Sequence, residues 1–288
     1  MSQSWGGAWT QQKLVIIEKY LNAYMQIFKN NSRASYFKTI YIDAFAGCGK
    51  IYNELEDKNL FDEEFQEYSK GSVMKAIELE NKFDKYIFIE KDSTLCDALE
   101  EEIKKYKISS EIIKGDANNI VSDICKNYDW EKYRAVLFLD PYGMQVQWET
   151  IKAIAKTQAI DMWYLFPLGV GTMRLLKKDG DIEEGNRNKL NELFGDNEWE
   201  KQFYKVEKQL TLFGESEKYE RVVDSDFVNS YLTGKLKKEF TGVVEKPKIL
   251  YNSKNSPIYS LCFAAGNKKG AGTAINIAQD LITNMEKR

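Results

Sequence analysis

Five short apolar runs, each separated from the next by a helix-like segment, constrain the fold of this chain more than any other feature. "KTIYIDAFAG", "KYIFIEKD", "SEIIKGDAN", "YRAVLFLDPYG" and "AIDMWYLFPLG" read as strands. "GSVMKAIELENKF", "STLCDALEEEIKKY", "NIVSDICKNY" and "WETIKAIAK" read as the intervening helices, with Ser93 placed to cap the second. This alternation over residues 39 to 168 predicts a parallel, doubly wound α/β sheet covered by helices on both faces. Ahead of it, "KLVIIEKYLNAYMQIF" over residues 13 to 28 has the apolar spacing of an amphipathic helix.

Beyond residue 168 the texture changes. Residues 169 to 242 are polar and rich in lysine and glutamate, and they read as helices with loops at "KDGDIEEGN" and "GDNEW". "VVEKPKILYN" and "SPIYSLCFAAGN" follow as two strands around the turn "SKNSP", and "GTAINIAQDLITNMEKR" closes the chain as a helix. The late hairpin would complete one edge of a mostly parallel, seven-stranded Rossmann-like sheet. Residues 1–168 and 243–288 are then one domain, and 169–242 are a helical insertion over the strand ends where a substrate or partner would be recognised.

Composition removes several kinds of chemistry. The chain has no histidine, which excludes Ser-His-Asp and Cys-His hydrolysis, a histidine base and a histidine-ligated metal. Cys48, Cys96, Cys125 and Cys262 are far apart without a C-x-x-C pair, so they read as reduced, buried small residues and no metal site is expected. A net charge of −3 gives no global attraction to nucleic acid. No apolar stretch is long enough to span a bilayer and no secretion signal opens the chain, so the expected compartment is the cytoplasm.

In an open parallel sheet, ligands bind outside the carboxyl ends of the strands. Four of those ends carry suggestive residues here. The first strand runs into Asp43, Gly47 and Gly49, the second into Glu90, the third into Asp116 and Ala117, and the fourth into Asp140, Pro141, Tyr142 and Gly143. Each has an ordinary structural reading. Glycines make turns, Glu90 alone is a solvated carboxylate, Asp116 is a helix cap, and Asp140 and Tyr142 could cap the next helix and pack on the strand end. The order and spacing of all four together are harder to explain by structure alone.

These residues carry a resemblance. "DAFAGCGK", "KGS", "FIEKD", "GDAN" and "FLDPYG" are similar to a class I S-adenosylmethionine-dependent methyltransferase, specifically the bacterial 23S rRNA adenine-N6 enzymes. "YIDAFAGCGK", "GDAN", "RAVLFLDPYGMQVQWETI" and "WYLFPLGVG" resemble the three-Cys-motif partner protein family (TcmP) over nearly the whole chain. The resemblance implies that S-adenosyl-L-methionine lies with its methionine part along Phe45, Gly47 and Gly49, its amino group beside Asp43, its ribose on Glu90 and its adenine on Asp116 and Ala117. It implies that Asp140 and the Pro141 carbonyl orient a target amine while Tyr142 stacks on an RNA or DNA base. It also implies a partner carrying a three-cysteine cluster of the radical-S-adenosylmethionine kind. In the rRNA enzymes the fourth-strand motif has two prolines before its aromatic residue; here the second proline is missing and Tyr142 comes one place early.

Two other readings stand beside this one. A methyltransferase-like fold could bind cofactor or nucleotide and serve its partner without transferring a methyl group. A dinucleotide-dependent oxidoreductase would need a third glycine that "GCGKIYN" lacks. Lys50, Lys70, Gly71 and Ser72 border the cofactor loop, with Ser72 reading equally as a cap. Trp163, Tyr164 and Phe166 read as core, and Lys235, Lys237, Lys238, Lys246 and Lys248 form the most basic stretch, the best candidate for a polynucleotide contact.

Overall fold

The computed structural model describes residues 8–48, 71–211 and 214–286. Helix α1 (Ala8–Asn30) precedes β1 (Lys38–Asp43), α2 (Ser72–Ile77), β2 (Lys85–Glu90), α3 (Ser93–Ile103), β3 (Ser110–Lys114), α4 (Ala117–Asn127), β4 (Tyr133–Leu139), α5 (Trp148–Lys156) and β5 (Ile160–Phe166). Strands β1 to β5 are parallel neighbours in the order β3-β2-β1-β4-β5. The strand order reverses beside β1, the kind of switch point at whose carboxyl side ligands bind in doubly wound sheets.

Alternate residues divide between two cores because successive side chains in a strand face opposite ways. Ile40, Ile42, Leu137, Leu139, Met162 and Tyr164 face α4 and α5. Tyr41, Tyr86, Phe88, Val136, Phe138 and Trp163 face α1 and α2 on the other side. A sheet buried on both faces has strands that are largely apolar, which is why β4 reads as an apolar run from Ala135 and β5 from Met162, with Arg134 and Asp161 at their starts. The local caps are only partly those the sequence suggests. Helix α3 is capped by Asp92, whose carboxylate accepts from the amides of Thr94 and Leu95, so Ser93 is its first residue and not its cap.

After a π-turn at Leu168–Met173 come α6 (Glu184–Phe194), α7 (Glu198–Phe203), β6 (Tyr204–Thr211), β7 (Gly214–Arg221), α8 (Ser225–Glu239), β8 (Gly242–Val243), β9 (Lys248–Tyr251), β10 (Pro257–Ala265) and α9 (Ala271–Glu286). The expected helical insertion therefore contains a two-stranded antiparallel sheet. Its strands lack a continuous apolar face, so the period of two is carried by charge: Lys205 lies opposite Glu220 and Glu207 opposite Lys218. The insertion is also not a separate layer, since Leu190, Phe194, Trp199, Phe203, Leu232 and Leu236 are buried in the same core as the sheet residues that face α4 and α5. Gly195, in the predicted "GDNEW" loop, ends α6 at φ +79°, where a Cβ would meet the Trp148 ring at 2.4 Å.

Strand β10 is antiparallel to β5 and completes the sheet. The single strand expected in "VVEKPKILYN" is split into β8 and β9, which pair with opposite ends of β10. Pro247 lies in the gap and has no N–H with which to continue a ladder. The seventh position across the sheet is thus shared by two short strands.

Candidate functional site

Asp116, Glu90, Asp43 and Asp140 lie in that order across the carboxyl edge, because their strands are neighbours in the order β3-β2-β1-β4. With adjacent strands about 4.8 Å apart, the row spans on the order of 15 Å. Beyond the strands' last ladder bonds the chain is fixed by further backbone contacts: Ala44 N–H donates to the Phe138 carbonyl and Ala46 N–H to that of Ile89.

The loop after β1 is held by acids from its neighbours. Gly47, at φ +61°, donates its amide to Glu90 Oε2 at 3.0 Å, and Glu90 Oε1 accepts from the amides of Lys91 and Asp92. Glu90 is thus a partly buried carboxylate that organises two loops, not simply a solvated strand end. Phe45 is partly buried, and its amide donates to Asp43 Oδ1 at 3.3 Å. Gly49, with Lys50 and Lys70, lies outside the described residues. Asp116 is exposed and caps α4 through Oδ1, while Ala117 is buried as the first residue of that helix. Ser72 is not a cap: α2 starts without a side-chain cap bond, and the buried Ser72 hydroxyl lies beside the Asp43 carboxylate, where it favours the ionised form.

The centre of the site is a buried charge cluster. Lys13 Nζ lies 2.7 Å from Asp140 Oδ2, with the lysine side chain 0% and the aspartate side chain 1% exposed. Asp43 is also buried, accepts from the Tyr41 hydroxyl at 3.3 Å, and feels the Lys13 charge. Burial lifts the Asp140 carboxyl to about 7 despite the Lys13 ion pair, and lifts Asp43 to about 6. Burial likewise lowers the Lys13 ammonium to about 8, with the two carboxylates opposing that shift. The second carboxylate oxygen, Asp140 Oδ1, is buried and has no partner. An unpartnered buried acceptor is costly, and it is the kind of group that a bound donor would satisfy.

Asp140 does not cap α5, whose preceding residue is Gln147 with no side-chain cap, and Tyr142 is 45% exposed. Gly143 adopts φ +71°, a turn that most residues resist, and the Tyr142 amide donates to Gln145 Oε1 at 2.9 Å. Pro141 is buried. The π-turn after β5 closes on this loop: a Cβ on Gly171 would meet Met144 Cγ at 2.8 Å.

Two organising residues were not singled out in the sequence. Lys13 had a signal: it falls on the buried stripe of α1 with Ile16, Ile17 and Tyr20, an unusual place for a lysine. Asn118 had none. Its Nδ2 donates to the Gln145 carbonyl at 2.9 Å, and its Oδ1 accepts from the Gln147 amide and the Thr150 hydroxyl, which ties α4 to the loop carrying Pro141 and Tyr142.

The basic stretch does not form a uniform positive face. Lys235 pairs with Asp196, Lys237 pairs with Glu245 at 2.7 Å, and Lys248 is buried, while Lys238 and Lys246 are exposed. Trp163, Tyr164 and Phe166 are core residues as expected, and all four cysteines are buried and none is in a disulfide. Among the described residues no helix is long and apolar enough to cross a membrane.

Strand order and antiparallel β10 define the class: a doubly wound, Rossmann-like α/β fold with Asp116, Glu90, Asp43 and Asp140 at the carboxyl edge of its parallel strands. No protein-family model and no curated protein matches the chain. Solved structures similar to it include a protein of Legionella pneumophila str. Philadelphia 1, at 12% identity over 94% of this chain and 91% of that one, with a TM-score of 0.48. An S-adenosylmethionine-dependent methyltransferase from Clostridium acetobutylicum ATCC 824 matches at 11% identity over 87% and 92%, with a TM-score of 0.41. Trm1 from Pyrococcus horikoshii, in complex with S-adenosyl-L-methionine, matches at 9% identity over 97% and 76%, with a TM-score of 0.38. At these identities none of them assigns a role to a residue of this chain.

Proposed function

We propose that this chain is an S-adenosyl-L-methionine-dependent methyltransferase acting on an amine of a nucleic acid base. The observation that carries the reading is Asp140: one carboxylate oxygen is locked by Lys13 and the other is buried and unpartnered beside the strand-end row of acids. The donor set fits the cofactor. S-adenosyl-L-methionine carries an ammonium, a sulfonium, two ribose hydroxyls and an adenine N–H edge, and the row offers acceptors throughout. Glu90 would take the ribose hydroxyls, Asp116 and Ala117 the adenine edge, Asp43 the side of the ammonium, and Phe45 and Gly47 the wall of the loop. When bound, the cofactor supplies an electrophilic methyl group.

The remaining chemistry falls to the chain. Asp140 Oδ1 accepts one N–H of the target amine and the Pro141 carbonyl accepts the other, which turns the nitrogen lone pair away from both. Lys13 fixes the carboxylate so that little reorganisation is needed on binding. A carboxyl raised to about 7 can take up the proton that the nitrogen sheds. Tyr142, exposed beside the turn at Gly143, would offer its ring for a base to stack on.

The same ion pair favours a second reading. Asp140 is only 4% exposed, and a carboxylate sealed by lysine suits a protein that binds cofactor and serves a partner of the three-cysteine kind without methylating. Labelled-methyl transfer to total RNA and DNA separates the two. Wild-type protein should transfer label, with the three-cysteine partner present or absent, and Asp140→Asn should reduce transfer at least tenfold while calorimetry shows cofactor affinity retained. Glu90→Ala should instead weaken cofactor binding about tenfold. Cofactor binding without transfer under any condition would leave only the second reading, and no cofactor binding would refute the first.

A further inference from the structure

A large cavity of about 1280 Å³ lies at the opposite pole, where β4 and β5 begin and β10 ends, between the second half of α1 and the start of α9. It exceeds the ~300–1,000 Å³ typical of small-molecule pockets. None of the strand-end acids considered above lines it.

Its walls combine flat rings with two inward-lying charges. Tyr20, Tyr24, Phe37 and Trp130 line it. Arg134 lies 3.7 Å over the Phe37 ring; its Nη1 donates to the carbonyls of Trp130 and Tyr133, and its Nε is buried with no partner. Asp161 is buried and accepts from the Tyr20 hydroxyl at 2.8 Å. Arg134 and Asp161 feel one another's charge but form no direct ion pair. Asp161 is held further by the Gly266 amide, so the group this wall leaves unengaged is the Arg134 Nε donor, whose burial without a partner is unfavourable. At the mouth, Arg33, Lys268 and Lys269 are exposed, against the single exposed acid Glu131.

The geometry points to a second binding site here, for a nucleotide whose base stacks on the aromatic walls with its N–H edge on Asp161 and whose phosphate meets Arg134 and the cations at the mouth. An N–H-bearing ring satisfies a buried carboxylate as a simple anion cannot, and a phosphate accepts the unpartnered Arg134 Nε donor. Stacking on such rings tolerates several bases, so the Asp161 edge is what sets base preference. The same chemistry is presented by a free nucleotide and by the end of a strand.

The test is calorimetry of the full chain, saturated with S-adenosylhomocysteine to occupy the strand-end site. It is titrated with the 5′-monophosphates of adenosine, guanosine, cytidine and uridine, and separately with a 5′-phosphorylated hexanucleotide. At least one of these ligands should bind; binding by the monophosphates identifies a free nucleotide, and binding by the hexamer alone a strand end. Lys268→Ala with Lys269→Ala, at exposed positions that leave the core intact, should weaken binding at least tenfold. Asp161→Asn should change the order of preference among the bases. No binding by any ligand at millimolar concentration, or binding unaffected by the double lysine variant, would overturn the site.

Discussion

Replacing Lys13 with methionine isolates the charge at the centre of the site, because methionine keeps much of the lysine stem's volume and removes only the ammonium. In the wild type, burial lifts Asp140 from 3.8 to about 7, so between those values the folded state keeps a proton that the unfolded state gives up. Stability therefore falls as pH rises through that window, by up to about 1.4 kcal/mol per pH unit for this group. Lys13 has the opposite limb. Its value is lowered from 10.5 to about 8, so stability is regained as pH rises from about 8 toward 10.5. Removing the ammonium abolishes that alkaline gain. It also pushes Asp140 further up, since Lys13 is the partner that lowers it.

At pH 8, where Lys13 in the wild type is only partly protonated, the variant must either hold an unpaired buried carboxylate or take up a proton, a loss of up to about 3 kcal/mol for a broken buried pair. At pH 5 Asp140 is protonated in both proteins and the wild type holds a buried ammonium without a charged Asp140 beside it. The variant should then lie within about 1 kcal/mol of wild type, or above it. Urea unfolding of both proteins at pH 5 and pH 8 measures the difference. Equal destabilisation at the two pH values would refute the reasoning, since it would mean that Lys13 acts by packing and not by charge.

Asn118→Ala should cost about 2–3 kcal/mol by urea unfolding and lower kcat more than cofactor affinity, because two hydrogen bonds to the loop carrying Pro141 and Tyr142 and one to Thr150 of α5 are lost. Tyr164→Phe should raise stability by about 1 kcal/mol, read as a higher Tm, because the Tyr164 hydroxyl is buried without a partner. Gly195→Ala should destabilise by more than about 2 kcal/mol, seen as a fall in the urea midpoint, since φ is +79° and the new Cβ would strike Trp148.

Much of the site was legible because its residues follow directly on their strands. Asp43 ends β1, Glu90 ends β2, and Asp116 and Asp140 come just after β3 and β4, so locating the strands located the acids. Their side-chain partners were less legible. Asp116 proved to be a cap as well as a strand-end acid, and Glu90 gained two loops to hold, one of them 43 residues away in sequence. The β6–β7 hairpin escaped notice because its apolar positions, Tyr204 and Val206 with Tyr219 opposite, are broken at Lys208 by charge, leaving helix and strand equally plausible by composition.

By itself the sequence determined the alternation of strand and helix, the two-faced burial of the sheet, the row of acids at its edge and the exclusion of histidine chemistry. These are local or compositional properties, set by side-chain periodicity and by which residue types exist at all. Only the tertiary structure decided that Lys13, 127 positions from Asp140, neutralises it, and that Tyr20 reaches Asp161 across 141. It also decided that the sheet's last edge is shared by two strands. Such pairings depend on how α1 lies across the finished sheet, and the energy of a buried charge is set by every group that surrounds it, so no stretch of chain carries that information alone.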